Sequence, residues 1–188
     1  MKNQNFIIDK AVSFLKKEKL ILYPTDTVWG IGCDATSSKA MERLYSLKKR
    51  NEAKAMICLF KSHEMIKSYI PKISSSQMSH LDSKIPTTVI FDNSIGISEK
   101  AIGKDNSVAT RIPKHDFCYK LISKFGKPII STSANISSKS SPANFYEIEK
   151  EILDGVDYVV NLEKERVTKK TSRIIKIDSL GKVTIIRS

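Results

Sequence analysis

The sequence predicts an α/β domain in which a sheet of mixed strand direction is flanked by helices. Short apolar runs typical of strands alternate with amphipathic stretches typical of helices. Near the C-terminus, two apolar runs flank "DSLGK", which is the turn chemistry of a hairpin. A length of 188 residues is about that of one domain, so we expect one domain over residues 1–188.

The elements follow in order along the chain. Helices are predicted where apolar residues recur at helical spacing: residues 7–15, 38–47 with Ser37 as the cap, 63–69 stopped by Pro71, 116–125 closed by Gly126, and 144–153. Strands are predicted at the short apolar runs: residues 20–23, 55–60, 87–91, 107–112, 127–132, 157–160, 173–177 and 183–187.

Composition narrows the class of protein. Hydrophobic residues make up 40% and charged residues 28%, a globular composition, and the net charge of +12 favours polyanionic partners such as RNA or nucleotides. The N-terminus lacks the continuous apolar core of a signal peptide, and no segment is apolar enough to span a membrane. Cys33, Cys58 and Cys118 form no metal-ligand spacing, so we expect reduced thiols in a cytoplasmic protein without membrane contact and without protein ligands to a metal.

The stretch "YPTDTVWGIGCDA" contains a glycine pattern, Gly30, Gly32 and Ala35, that fits a dinucleotide fingerprint. That fingerprint requires a helix immediately after the first glycine and an acidic residue about 20 positions later. Here the helix cap is delayed to Ser37, and the later region, "LKKRNEAKAM", is basic. The dinucleotide interpretation therefore fails, and we predict that the glycines let the chain turn near a cavity.

Polar side chains and cations follow several predicted strands and helices. Residues 25–27, Thr-Asp-Thr, end the first strand, where they could cap their own backbone or bind a ligand. Lys48, Lys49, Arg50 and Lys54 could complement a helix dipole or bind an anion. Arg111 ends an apolar strand, where it could hold a carboxylate or phosphate, and "STSANISSKSSP" adds a hydroxyl-rich loop. Together these groups predict a site for a nucleotide and a small acid.

Five ordered motifs resemble the YrdC-like family of threonylcarbamoyl-AMP synthases: "YPTDTVWGIGCDA", "LKKRNEAKAM", "SVATRIPKH", "GKPIISTSANISSKSSPA" and "TSRIIKI" with "IIR". The resemblance implies a twisted mixed sheet flanked by helices around a large positively charged cavity. It implies a nucleotidyltransferase that makes threonylcarbamoyl-AMP and pyrophosphate from L-threonine, bicarbonate and ATP. A downstream transfer complex then modifies tRNA, and the chain resembles the short form without a C-terminal extension domain.

The resemblance also assigns residues. It implies that Thr27, Arg111, Ser133 and Ser172 bind threonine, that Lys48 faces the phosphates, and that Mg²⁺ accompanies ATP. For ATP it implies contacts from Arg50, Lys54, Ser107, Asn135 and Arg187. No nucleophile is required, because a carbamate oxygen attacks the α-phosphorus, so Lys48, Arg50 and Lys54 would contribute alignment and charge.

Among the positions that depart from the family pattern, Leu59 stands where a histidine is common, Ser138 where a glycine is common, and Ala143 where a threonine is common. Two other functions remain open. One is a non-catalytic paralogue that binds double-stranded RNA or tRNA, favoured by the net charge of +12. The other is carbamoyl transfer, as in the related domains of hydrogenase maturation proteins, which lie within longer multidomain chains.

Overall fold

A single mixed sheet of nine strands organises the chain in the computed structural model, which describes residues 2–50, 56–103, 105–168, 170–178 and 181–188. The strands are β1 Ile21–Tyr23, β2 Gly30–Asp34, β3 Ile57–Leu59, β4 Thr87–Asp92, β5 Ser107–Arg111, β6 Ile129–Ser133, β7 Tyr158–Val159, β8 Arg173–Ile177 and β9 Val183–Arg187. Their order is β7-β1-β2-β6-β3-β5-β4-β8-β9. Three neighbouring pairs are parallel, β1 with β7, β3 with β5 and β4 with β8, and the other five are antiparallel.

Helices cover both faces of this sheet. They are α1 Lys2–Leu15, α2 Ser38–Lys48, α3 His63–Tyr69, α4 Ser75–Ser79, α5 Asp116–Phe125 and α6 Lys150–Gly155, with 3₁₀ turns at His80–Asp82 and Phe145–Glu147. Because side chains alternate along a strand, β1 serves both layers: Ile21 packs with α1 and α5, whereas Leu22 packs with α2. No helix in the described ranges is long and apolar enough to cross a membrane.

Most of the predicted elements are confirmed. The Ser37 hydroxyl accepts a hydrogen bond from the Ala40 amide and caps α2, and α5 ends at Gly126, whose φ of 79° lies in the left-handed region. The terminal hairpin is β8 and β9. The helix predicted over residues 144–153 is wrong as one element: it is divided into a 3₁₀ turn and α6, because Ile148 takes an extended conformation between them.

The predicted turn at Gly30 and Gly32 is also wrong, since both lie in β2, hydrogen-bonded between β1 and β6. The glycines are needed there for close approach. A Cβ at Gly32 would lie 2.6 Å from Tyr23 Cε1 and 2.7 Å from the Ile130 carbonyl oxygen. The missing side chain therefore allows the buried Tyr23 ring to cross the strand, a contact that periodicity along the sequence does not reveal.

We predict that Gly32→Ala lowers the free energy of unfolding by about 1–3 kcal/mol, because backbone and a buried ring must both move. Gly30→Ala is the matched control in the same strand, where the nearest atom to the new Cβ is the Ser131 hydroxyl oxygen at 2.8 Å. That hydroxyl can rotate away, so the loss should be smaller. Urea denaturation of both variants measures the difference, and equal losses would contradict this account of β2.

Candidate active site

One cavity collects most of the predicted site residues. Together with its opening to solvent, the empty space of this cavity is about 730 Å³. Six of the nine residues predicted to bind threonine or ATP line it: Thr27, Arg50, Arg111, Ser133, Ser172 and Arg187. Three of these six are arginines, and among the described residues that line the cavity there is no carboxylate. The cavity therefore suits an anionic ligand.

The turn between β1 and β2 supplies Thr27. Thr25 shapes this turn through its hydroxyl, which accepts from the Thr27 amide at 3.0 Å and donates to the Val28 carbonyl at 2.8 Å. The two threonine hydroxyls are 3.0 Å apart. The sequence offered two roles for this turn, capping its own backbone or binding a ligand, and the structure divides the residues between them. Thr25 caps the backbone, and Thr27 lines the cavity.

Arg111 joins this turn to the end of β5. Its guanidinium forms an ion pair with Asp26, and Nη1 donates to the Thr27 hydroxyl at 3.2 Å. The second Asp26 oxygen accepts from the Lys114 amide at 3.1 Å. Arg111 is only 5% exposed, and its buried Nε–H has no acceptor among the described residues. An acceptor from a ligand would complete the hydrogen bonding of this guanidinium.

Lys48 lies at the end of α2 and is 2% exposed. Its ammonium donates to the carbonyls of Ser133 at 2.6 Å and Asn135 at 2.7 Å. The Lys48 carbonyl accepts from the Ser137 amide at 2.9 Å, so residue 48 holds the loop after β6 at three points. Burial, and next the charge of Arg50, lower the pKa of Lys48 to about 7.

A second hollow adjoins the cavity and shares two lining residues with it, Arg50 and Ser133. Lys48 and Asn135 also line this adjacent hollow. The Asn135 amide nitrogen donates to the carbonyls of Ile136 at 2.9 Å and Lys139 at 2.8 Å. Asn135 therefore lies beside the cavity rather than on it, and its predicted contact with ATP stays a prediction.

Arg187 enters the cavity from β9. Its Nε and Nη2 donate to the Ser172 carbonyl at 3.1 and 2.7 Å, and the Ser172 hydroxyl is 2.8 Å from that of Thr88. Burial, and next the nearby charge of Arg111, lower the pKa of Arg187. Because the two positively charged guanidinium groups repel each other, an anion bound between them would be stabilised.

Besides Asn135, two more predicted ATP contacts are not placed at the cavity. Lys54 lies outside the described residues. Ser107 begins β5 whereas Arg111 ends it, a separation of about 13 Å along a strand. The Ser107 hydroxyl donates to Asp105 at 2.5 Å, so its role in binding ATP stays a prediction.

The three departures from the family pattern have distinct structural settings. Leu59 is fully buried against α1 and α5, so its side chain belongs to the core. Ser138 has a φ of 75°, a conformation that favours glycine, and lines the adjacent hollow. Ala143 is 4% exposed, and its carbonyl accepts from the Thr168 amide at 2.8 Å.

Several residues at or beside the cavity have no assigned role in the sequence-based prediction. The pattern Thr-Asp-Thr indicates a polar turn, but it does not reveal that the Asp26 carboxylate fixes Arg111. Ser131 and Thr132 of β6 and Thr171 before β8 also line the cavity. The run "STSAN" was a signal for the first two, whereas Thr171 and the Asp26 pair depend on contacts between distant segments.

We predict that Lys48 makes stability depend on pH. Its pKa is about 7 in the folded protein, against an ordinary 10.5, so between these values the unfolded chain binds more protons. The free energy of unfolding should therefore rise with pH from 7 to 9, at a slope of up to about 1.4 kcal/mol per unit. Lys48→Met should remove this rise, and urea denaturation at pH 7, 8 and 9 measures it.

The control for Lys48 is Lys39→Met, since Lys39 lies on the same helix with its side chain 75% exposed. Its pH dependence should match that of the unchanged protein. Parallel pH profiles for the unchanged protein and Lys48→Met would show that the buried ammonium does not titrate in this range.

Comparison with known proteins finds relatives that share one name. The threonylcarbamoyl-AMP synthase of Enterobacter sp. (strain 638) is 34% identical over 157 residues, covering 81% of this chain and 83% of that protein. That of Buchnera aphidicola subsp. Schizaphis graminum is 38% identical over 136 residues, covering 70% and 71%.

Solved structures share the fold. P. abyssi Sua5 complexed with L-threonine superposes with a TM-score of 0.82 at 25% identity, over 96% of this chain. This chain spans about half of that protein, 53% of its length. E. coli YciO superposes with a TM-score of 0.84 at 19% identity, covering 98% of this chain and 89% of that one. The Sua5/YciO/YrdC family model, described as "Telomere recombination", matches residues 13–188, and the chain therefore belongs to this family.

Proposed function

We propose that the protein is an L-threonylcarbamoyladenylate synthase, a nucleotidyltransferase that uses L-threonine, bicarbonate and ATP. The observation that carries the proposal is the gathering of Thr27, Arg111, Arg50 and Arg187 around one cavity. A small amino acid and a polyphosphate both require cations there, and a hydroxyl beside Arg111 suits the side chain of threonine. Relatives named for this activity, and one that binds L-threonine, support the proposal.

The threonine carboxylate would bind Arg111. That guanidinium already has Asp26 on one side, whereas its Nε–H is the donor without a partner in the described ranges. The Thr27, Ser133 and Ser172 hydroxyls would complete the pocket, since all three line the same cavity.

The nucleotide would bind beside threonine, where Arg50 lines both the cavity and the adjacent hollow. Once the threonine amine has combined with bicarbonate, with loss of water, a carbamate oxygen attacks the α-phosphorus, and pyrophosphate leaves from the opposite side. The protein aligns the two reactants and stabilises the charge that develops on the phosphates. Mg²⁺ would enter bound to ATP, because the described lining of the cavity offers the ion no carboxylate. It would neutralise part of the charge on the phosphates.

The product of the proposed reaction must be used in a later transfer step. A carbamoyl-adenylate is a mixed anhydride, so it must be consumed by an enzyme that passes the threonylcarbamoyl group to a nucleophile. We expect that acceptor to be an adenosine of tRNA, served in the cytoplasm by a transfer complex. The net charge of +12 is consistent with a direct contact with tRNA.

The test incubates the purified protein with ATP, L-threonine and labelled bicarbonate. Labelled adenylate and pyrophosphate should form together, and both should depend on threonine. A protein that binds tRNA but releases no threonine-dependent pyrophosphate would refute the proposal in favour of a non-catalytic module.

We predict that Arg50→Ala lowers kcat/KM for ATP by about 10- to 100-fold, the loss expected for a hydrogen bond to a charged group. Lys54→Ala should act in the same direction. Arg43→Ala is the control, because Arg43 lies on the preceding helix and pairs with Asp157, away from the cavity. Normal turnover by Arg50→Ala would mean that the phosphates bind elsewhere.

A further inference from the structure

A segment after β7 crosses the back of the turn that carries Thr27. We call residues 162–168 the strap. From the strap, Arg166 reaches the turn: Nη1 donates to the Thr25 carbonyl at 2.7 Å, and Nη2 to the Asp26 carbonyl at 3.4 Å. Arg166 does not line the main cavity, so it acts on the side of the turn that a ligand in the cavity does not touch.

The guanidinium of Arg166 is held in place by a carboxylate. Glu163 forms an ion pair with Arg166 at 3.0 Å through one oxygen. Its other oxygen lies 3.0 Å from His115 Nε2. His115 precedes α5 and is directly next to Lys114, whose amide donates to Asp26. The strap and the segment after β5 therefore converge on the same turn from two directions.

The strap packs closely against this side of the turn. Thr25, Thr27, Arg166 and Thr168 border the narrow space between the turn and the strap, and Thr25 and Thr27 are only 3% and 4% exposed. The hydrogen bonds from Arg166 add direction to this packing, because each is aimed at one carbonyl oxygen. At its far end the strap is tied to the hydroxyl-rich loop, because the Thr168 amide donates to the Ala143 carbonyl at 2.8 Å.

We propose that Arg166 is a positioning residue for the amino acid substrate. By fixing the carbonyls of Thr25 and Asp26, it would set the position of the Thr27 hydroxyl and of the carboxylate that orients Arg111. This inference rests on the proposed function, because it assigns Thr27 and Arg111 to the amino acid. Arg166 would therefore affect the binding of only one substrate. The turn would contact the amino acid, whereas Arg50 would contact the nucleotide.

The test compares Arg166→Met with the unchanged enzyme in steady-state kinetics. The KM for threonine should rise about tenfold or more, the effect of losing one or two hydrogen bonds from a charged donor. The KM for ATP should stay within about twofold, since the site proposed for the nucleotide is untouched. The preference for threonine over valine should fall, because the hydroxyl of Thr27 is no longer held in place.

The matched control is Arg43→Met. Arg43 and Arg166 have the same side-chain exposure, 37%, and each is paired with a carboxylate, but Arg43 pairs with Asp157 away from the turn. Both KM values should be unchanged in this variant. A positioning role is overturned if Arg166→Met leaves the KM for threonine unchanged, or if it raises both KM values equally.

Two further variants keep the proposal testable if Arg166→Met fails to fold. Arg166→Lys keeps the charge but offers no planar pair of donors, so the KM for threonine should rise by a smaller factor. Glu163→Gln weakens the anchor of Arg166 and should act in the same direction. Unchanged KM values for threonine in both variants would overturn the inference.

Absence of threonine-dependent turnover in the unchanged protein would instead refute the proposed function, so the two failures are distinguishable.

Discussion

The buried ion pair between Asp26 and Arg111 is the interaction on which the site depends. It joins residues 85 positions apart, one in the turn after β1 and the other at the end of β5. Three strands, β2, β6 and β3, lie between β1 and β5 in the sheet, a width of about 19 Å at the usual strand spacing. The turn must therefore extend over the ends of the intervening strands to reach Arg111. This extension of the turn encloses the cavity. Removing either partner would leave a buried charge without compensation, so folding of the turn and formation of the cavity are coupled.

Unlike Arg111, two other cations of the site are fixed by neutral groups. Lys48 donates to two carbonyls, and Arg187 donates to the carbonyl of Ser172. Carbonyls orient these side chains without cancelling their charge, whereas a carboxylate would do both. The cavity therefore presents arginine side chains in a fixed geometry, and the adjacent hollow presents Lys48, whose pKa is lowered by desolvation. A preorganised site of this kind needs little reorganisation when a charged ligand binds.

The roles of the six predicted residues that line the cavity follow from the family resemblance. The sequence predicted the fold class and most element boundaries, because apolar periodicity and polar strand ends are local signals. It did not predict β2, since two glycines and a cysteine resemble a turn until the ring of Tyr23 is placed across them. The family resemblance assigns Lys48 to the phosphates, which stays a prediction, and the carbonyls that bind this ammonium come from a segment more than 80 residues later. Ser107 and Arg111 share one motif, but an extended strand places them at opposite ends. Such contacts between distant segments have no local signal in the sequence.

Two arginines hold the turn from opposite sides by different means. Arg111 approaches from the cavity and bonds side chains, the Asp26 carboxylate and the Thr27 hydroxyl, so it can also share donors with a ligand. Arg166 approaches from the strap and donates hydrogen bonds to backbone carbonyls. A substitution in the turn would change a side chain but would leave these carbonyls present. The backbone can therefore stay fixed while side chains on the cavity face exchange partners. Selectivity for the amino acid would then depend on the strap, a segment that does not touch it, as much as on the residues that do.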